Sequence, residues 1–279
     1  MRLLERAAGT RLLWLDHLAY SGGLPGGAYA WLDAASAVSR LRRAQALLRS
    51  DVVELPLASV VAAWLDGDPA LREALAAKSR QAHGGLKELL GRAALRGHLA
   101  ELALALRAAC RAELLALVVP SPRDWLAWAL ERAGADPTRA DDEDAVDSAA
   151  ACMADLLRAF ASCGVDVLAL HETRPWFGDD LGVWAEMSRP LANVARHYGW
   201  DWGARLPAGL AAPAALSADF VIVPEPGGFP GLQGIEVDAA VWSGGARQAA
   251  PERSFDFASI PVAARPEDVL ASLDRLRNA

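Results

Sequence analysis

Cysteine is scarce in this 279-residue chain: there are three, Cys110, Cys152 and Cys163. All three fall at apolar, helix-like positions. They form no disulfide framework and read as packing residues, which points to a reducing, cytoplasmic setting. A hydrophobic run of the roughly 18 residues a membrane helix needs is also missing. Leu99–Val119 comes nearest, but Glu101, Arg107, Arg111 and Glu113 interrupt it. The opening Met1-Arg-Leu-Leu-Glu-Arg lacks a long apolar core and a small-residue cleavage site, so no signal peptide is expected. There is no excess of positive charge: the formal net charge is −7, and the basic residues are mostly arginines scattered along helical stretches. That balance argues against nucleic acid as the main partner. No predicted strand runs into a Gly-x-Gly-x-x-Gly turn. Gly22-Gly23-Leu-Pro-Gly26-Gly27 fits neither a phosphate-binding loop nor a dinucleotide fingerprint, so no nucleotide cofactor is expected. No repeat of fixed period is visible.

What is present is apolar and regularly punctuated. A hydrophobic content of 53% excludes a disordered chain. The length suits one (β/α)8 barrel or two small domains. Eight strand candidates occur: Leu12–Leu18, Asp51–Leu57, Leu114–Pro120, Asp166–Glu172, Trp200–Leu206, Asp219–Glu225, Gly234–Trp242 and Phe255–Val262. Most are short and apolar on both faces, as strands buried in a parallel sheet are. Helical patterns separate most of them: Ala28–Arg49, Ser59–Leu65, Pro69–Cys110 in two pieces, Pro122–Ala133, Glu143–Ser162, Asp179–Tyr198 and Pro266–Arg277. The alternation predicts a single α/β domain over residues 1–279, a (β/α)8 TIM barrel. The last third is poor in helix, because Pro224–Gly234 and Ser243–Ser254 read as loops. Asp136–Asp147, with six acids, reads as a solvated linker leading into a capped helix.

The order of segments resembles the uroporphyrinogen decarboxylase superfamily, whose barrels include cobalamin-independent methionine synthase and corrinoid methyltransferases. Arg49-Ser-Asp-Val-Val-Glu-Leu-Pro-Leu resembles the second strand of that family. Leu114-Leu-Ala-Leu-Val-Val-Pro-Ser-Pro-Arg-Asp-Trp resembles the third strand and its proline-led helix. Met153–Glu172 resembles the fourth strand with the helix before it. Gly231-Leu-Gln-Gly-Ile-Glu-Val-Asp resembles the seventh strand, and Ser259-Ile-Pro-Val-Ala-Ala-Arg-Pro-Glu-Asp-Val the last strand and its helix. The resemblance implies decarboxylase-like C–C cleavage of a small, carboxylated or planar substrate. Its alternatives are methyl transfer at a rebuilt metal site, or a catalytically silent ligand-binding or partner subunit. A homodimer is also implied. The family's arginine-rich segment after strand one is replaced by Asp16-His-Leu-Ala-Tyr-Ser-Gly-Gly, and no cysteine follows Cys163 to build the methyltransferases' thiolate zinc site. The resemblance therefore implies a divergent member with rebuilt chemistry.

Parallel-sheet enzymes place their chemistry just past the carboxyl ends of strands, so the polar groups there are the candidates. Strand four ends in His171-Glu172-Thr-Arg174 and strand one in Asp16-His17, followed by a glycine-rich loop with Tyr20. His171, Glu172, His17 and Asp16 are the catalytic candidates. Adjacent strand residues point to opposite faces, so one of His171 and Glu172 faces the barrel mouth. Glu54 lies inside strand two, where a carboxylate either meets ligand or is paired with an arginine such as Arg11. His17, His171, Glu172 and Glu54 are the candidates for a divalent metal. Arg123, Arg174 and Arg205 are candidate clamps for substrate carboxylate. Trp176, Trp202 and Trp242, at or after strand ends, would suit a flat ligand. Glu225, Glu236 and Asp238 flank the Gly/Pro loop and read either as a ring of acids at the mouth or as a solvated face.

Overall fold

The computed structural model describes residues 2–26, 29–174, 181–207, 216–247, 251 and 253–278. Its strands are β1 (Leu13–Asp16), β2 (Val52–Pro56), β3 (Leu114–Pro120), β4 (Val167–His171), β5 (Asp201–Arg205), β6 (Phe220–Val223), β7 (Leu232–Glu236) and β8 (Ser254–Ser259). Every ladder between them is parallel, in the order β1-β8-β7-β6-β5-β4-β3-β2. The remaining seam, between β1 and β2, is held by the two residues before β2. Asp51 N donates to Leu13 O at 2.9 Å. The Asp51 carboxylate accepts Leu13 N at 2.8 Å, and Ser50 Oγ accepts Leu15 N at 3.0 Å. The result is a nearly closed (β/α)8 TIM barrel, as the alternation of apolar strands and helices predicts.

Helices cover the outside. They are α1 (Leu3–Gly9), α2 (Leu18–Gly23), α3 (Ala34–Leu48), α4 (Leu57–Gly67), α5 (Pro69–Lys78), α6 (Gly84–Leu90), α7 (Ala93–Ala109), α8 (Pro122–Arg132), α9 (Glu143–Leu157), α10 (Leu181–Tyr198) and α11 (Pro266–Asn278). Local chemistry sets their ends. Asp33 accepts the backbone N–H groups of Ala35 and Ser36, so α3 begins six residues later than the periodicity alone suggests. Asp68 caps α5 by accepting Leu71 N, with Pro69 at the first helical position. The stretch Pro69–Cys110 divides into three helices, not two. The acidic run after α8 is solvated, as its composition suggests: five of its six acids are exposed, and only Asp141 is half-buried. Asp136 caps a 3-10 turn over Pro137–Asp141, Asp142 caps α9, and Asp141 turns back to Arg123. The N-terminal helix α1 has no counterpart among the expected helices. It closes the bottom of the barrel, with Leu3 fully buried against Leu12 and Val52.

The last third is helix-poor, as expected. Among the described residues no helix joins β5 to β6 or β6 to β7, and a 3-10 turn, Ala239–Ser243, stands between β7 and β8. Here the register differs from the sequence reading: β7 begins at Leu232 and stops at Glu236. Asp238 then accepts Ala240 N at 2.7 Å and curls the chain, sending Val241 and Trp242 against α11. No described helix is long and apolar enough to cross a membrane.

The barrel interior is packed by aromatics. Trp14, Phe220, Phe255 and Phe257 are fully buried, with ring centroids 5.9–6.2 Å apart. Two glycines make room for them: a Cβ at Gly203 would fall 2.7 Å from the Phe220 ring, and one at Gly234 2.5 Å from Phe255. Each large aromatic buried in this way contributes about 3–5 kcal/mol relative to alanine. Above this floor, toward the carboxyl ends of the strands, the interior turns polar.

Candidate functional site

Strand alternation decides which polar groups meet. Trp14 and Asp16 face inward from β1, Glu54 from β2, His171 from β4, Arg205 from β5, Glu236 from β7 and Ser259 from β8. The ladders set Asp16 beside Ser259 and His171 beside Arg205. Arg205 sits at the centre. Its Nε donates to Glu236 at 2.7 Å, Nη1 lies 3.3 Å from Asp16, and Nη2 lies 3.3 Å from Ser259 Oγ. Ser259 Oγ in turn donates to Asp16 at 3.2 Å. The guanidinium lies over the Phe257 ring, 4.7 Å from its centroid, so the floor contributes a cation–π contact. Asp16, Arg205 and Glu236 are each about a quarter exposed, which leaves the cluster open at the barrel mouth.

Below this ion cluster lies Glu54. It is buried and accepts the Trp14 indole N–H at 2.7 Å. Burial pushes its carboxyl up to about 8; the Asp16 carboxylate adds to the rise, and the Trp14 hydrogen bond and Arg205 oppose it. Glu54 therefore carries a proton at neutral pH. His171 is shifted the other way. Burial and the nearby Arg205 cation lower its imidazole to about 4 against the pull of Asp16, so the ring is neutral. Its Nε2 is buried with no hydrogen-bond partner among the described residues. A protonated carboxyl and a neutral imidazole with a free nitrogen, beside one guanidinium, form a set able to donate a proton, accept or relay one, and hold an anion.

The expected candidates divide sharply. His171, Asp16, Glu54 and Arg205 converge. Glu172 does not: it points outward, buried under α10, and accepts the Trp184 indole N–H at 3.0 Å. Of the adjacent pair it is therefore His171 that faces the interior. His17 is buried at the start of α2 with Nδ1 3.1 Å from Ser21 Oγ, which contacts the Tyr29 hydroxyl at 2.7 Å, and burial lowers its imidazole to about 4. Tyr20 packs outside the barrel, among α2, α3 and α11, away from the mouth. Trp202 alternates outward, stacks on Trp184 and donates to Ser217 O. Trp242 is carried away by the 3-10 turn and donates to Ser259 O. Trp176 lies outside the described residues. Of the arginines, Arg123 is buried against Asp141 at 2.7 Å, and Arg174 pairs with Asp124 at 3.0 Å. Arg11 pairs with Asp256 at 2.9 Å, which leaves Glu54 to Trp14. The four expected metal ligands do not assemble: among the described residues no group of three His, Cys, Asp or Glu side chains is placed to hold an ion. Of the three acids around the Gly/Pro loop, Glu236 joins the cluster, while Asp238 caps the 3-10 turn.

Two contributors were not singled out as candidates in the sequence. Ser259 is the last residue of β8, and a count from Asp16 through the parallel ladder would have found it. Asp124 is buried and accepts Thr173 N, Thr173 Oγ1 and Arg174 Nε at 2.7–3.0 Å, which anchors the segment leaving His171. No local signal distinguishes it from an ordinary first-turn acid of α8. Neither the models of known protein families nor the curated proteins contain a match to this chain.

Proposed function

We propose that this chain is a small-molecule enzyme of the lyase type, working at the carboxyl end of its barrel. The observation that carries the reading is the inward-facing, half-buried His171, whose buried Nε2 has no hydrogen-bond partner among the described residues and which stands next to Arg205. A buried polar atom without a partner costs about 1–3 kcal/mol, an expense that a ligand contact offsets. The reaction class follows the resemblance to the uroporphyrinogen decarboxylase superfamily. In such a step the bond between the substrate carbon and its carboxylate breaks, and the electron pair stays on the carbon. Carbon dioxide leaves, and a proton from the Glu54 carboxyl completes the carbon; solvent then returns a proton to Glu54. Arg205 meets the substrate carboxylate by exchanging it for Asp16 or Glu236. A homodimer goes with the same resemblance, and a cytoplasmic setting goes with the three free cysteines.

The test is a panel of aromatic and pyrrole carboxylates, assayed for carbon dioxide release with the intact protein and with His171→Ala. Turnover by the intact protein that falls about 10²–10⁴-fold in the variant supports the reading. Turnover indifferent to His171 removes the assignment. Tight binding of a panel member without product would identify a ligand-binding protein instead.

A further inference from the structure

Arginine does almost all the cationic work in this chain: there are 26 arginines and only two lysines, Lys78 and Lys87. Both lysines line one groove on the outside of the barrel, about 860 Å³ in volume, walled by α5, α6, the start of α7 and the end of α9. Three arginines, Arg92, Arg96 and Arg158, line it as well. Against these five cations stand two acids, Glu88 and Asp155. The groove is thus a basic site on a chain of net charge −7.

The arginines are held by groups within the groove. Arg96 donates to Leu90 O and to Asp155, both at 2.6–2.7 Å. Arg158 reaches Asp155 at 3.1 Å, and Arg92 reaches Glu88 at 2.7 Å. Hydrogen bonds and charge from Arg96, then from Arg158, hold the Asp155 carboxyl below its ordinary range. The acids are thereby used up on the guanidiniums. Lys78 and Lys87 are exposed, and no hydrogen bond or ion pair joins either ammonium to a described residue. A lysine ammonium is a compact charge with three rotatable donors, suited to phosphate oxygens met at varied angles.

We infer that this groove is a second site, distinct from the barrel mouth, that binds a small molecule carrying two or more phosphate groups. Its volume falls within the 300–1,000 Å³ typical of small-ligand sites, a scale suited to a compact polyphosphate. Nucleic acid fits less well, because an extended basic track is needed to follow a backbone and the chain as a whole is acidic. Half-buried Cys152 also lines the groove, and among the described residues the other two cysteines are buried, so its thiol is an internal reporter of occupancy.

The experiment titrates the full chain with inorganic tripolyphosphate by calorimetry, at fixed moderate salt, and repeats the titration with Lys78→Ala/Lys87→Ala. Arg189→Ala, an exposed position paired with Glu186 outside the groove, is the control. Saturable binding that weakens at least tenfold in the double variant and not in the control is expected, together with slower maleimide labelling of Cys152 when tripolyphosphate is present. Because both lysines are exposed, the variant should fold; Lys78→Gln/Lys87→Gln serves if it does not. No saturable binding, or equal binding by the double variant, overturns the inference. So does a single-stranded oligonucleotide that displaces tripolyphosphate and binds more tightly than it.

Discussion

The two ends of the barrel strands carry similar residues put to different uses. At the amino ends, aspartates satisfy backbone. Asp51 accepts Leu13 N, Asp166 accepts Leu115 N, Asp219 accepts Trp202 N and Asp201 accepts Leu4 N, at 2.8–3.2 Å. Each ties a strand to its neighbour, or the barrel to α1. At the carboxyl ends, Asp16, Glu236 and Arg205 satisfy one another, Glu54 keeps its proton, and His171 keeps a nitrogen without a partner among the described residues. One end spends its charges on holding the chain, while the other holds charges apart from the backbone, where a ligand reaches them. This is the division between stability and chemistry that the barrel architecture favours.

The largest expected break in the comparison comes from exchanging alanine for one residue at each end. His171→Ala should cut turnover about 10²–10⁴-fold while leaving urea unfolding near its original midpoint. Asp166→Ala should do the reverse. It strips the acceptor from Leu115 N and the partner from Arg107, and should lower unfolding stability by about 1–3 kcal/mol with turnover intact. If both variants lose stability equally, the division fails.

Glu54→Gln sharpens the comparison through pH. The unfolded carboxyl releases its proton near its ordinary 4.5 and the folded one near 8, so between those values the folded state holds an extra proton. Raising the pH from 4.5 through 8 therefore costs the intact protein stability. Glutamine cannot ionise, so the variant should show a flatter stability curve over that window and be the more stable protein above pH 8, while losing turnover. A denaturation series across that range checks both. An unchanged slope would mean that Glu54 is not the group that holds the proton. Trp14→Phe has the smallest expected effect. It removes the indole N–H that favours the ionised carboxylate, so the basic limb of the pH–rate profile should move up by less than one unit. A downward move would show that the hydrogen bond favours the protonated acid.

Much of the site was within reach of the sequence once strands were recognised. The short apolar runs ending in Asp16, His171 and Arg205 marked their carboxyl ends, and alternation limited each end to one inward residue. What went astray did so for nameable reasons. Trp202 and Glu172 lie one residue from inward positions, and a single step along a strand reverses the face. Trp242 was lost to a local Asp238 cap that ended β7 early. Arg123 and Arg174 read as free clamps because their partners, Asp141 and Asp124, are brought to them by tertiary packing of the turn after α8 and the loop after β4.

The sequence by itself determined that this chain is a parallel α/β barrel with a helix-poor last third, because apolar period, caps and glycine or proline stops are local signals. Only the tertiary structure decided that one arginine sits between Asp16 and Glu236, that Glu54 stays protonated beneath it, and that both lysines share one groove. These depend on register between strands and on burial. Coulombic and desolvation energies are set by distances in space that spacing along the chain does not contain.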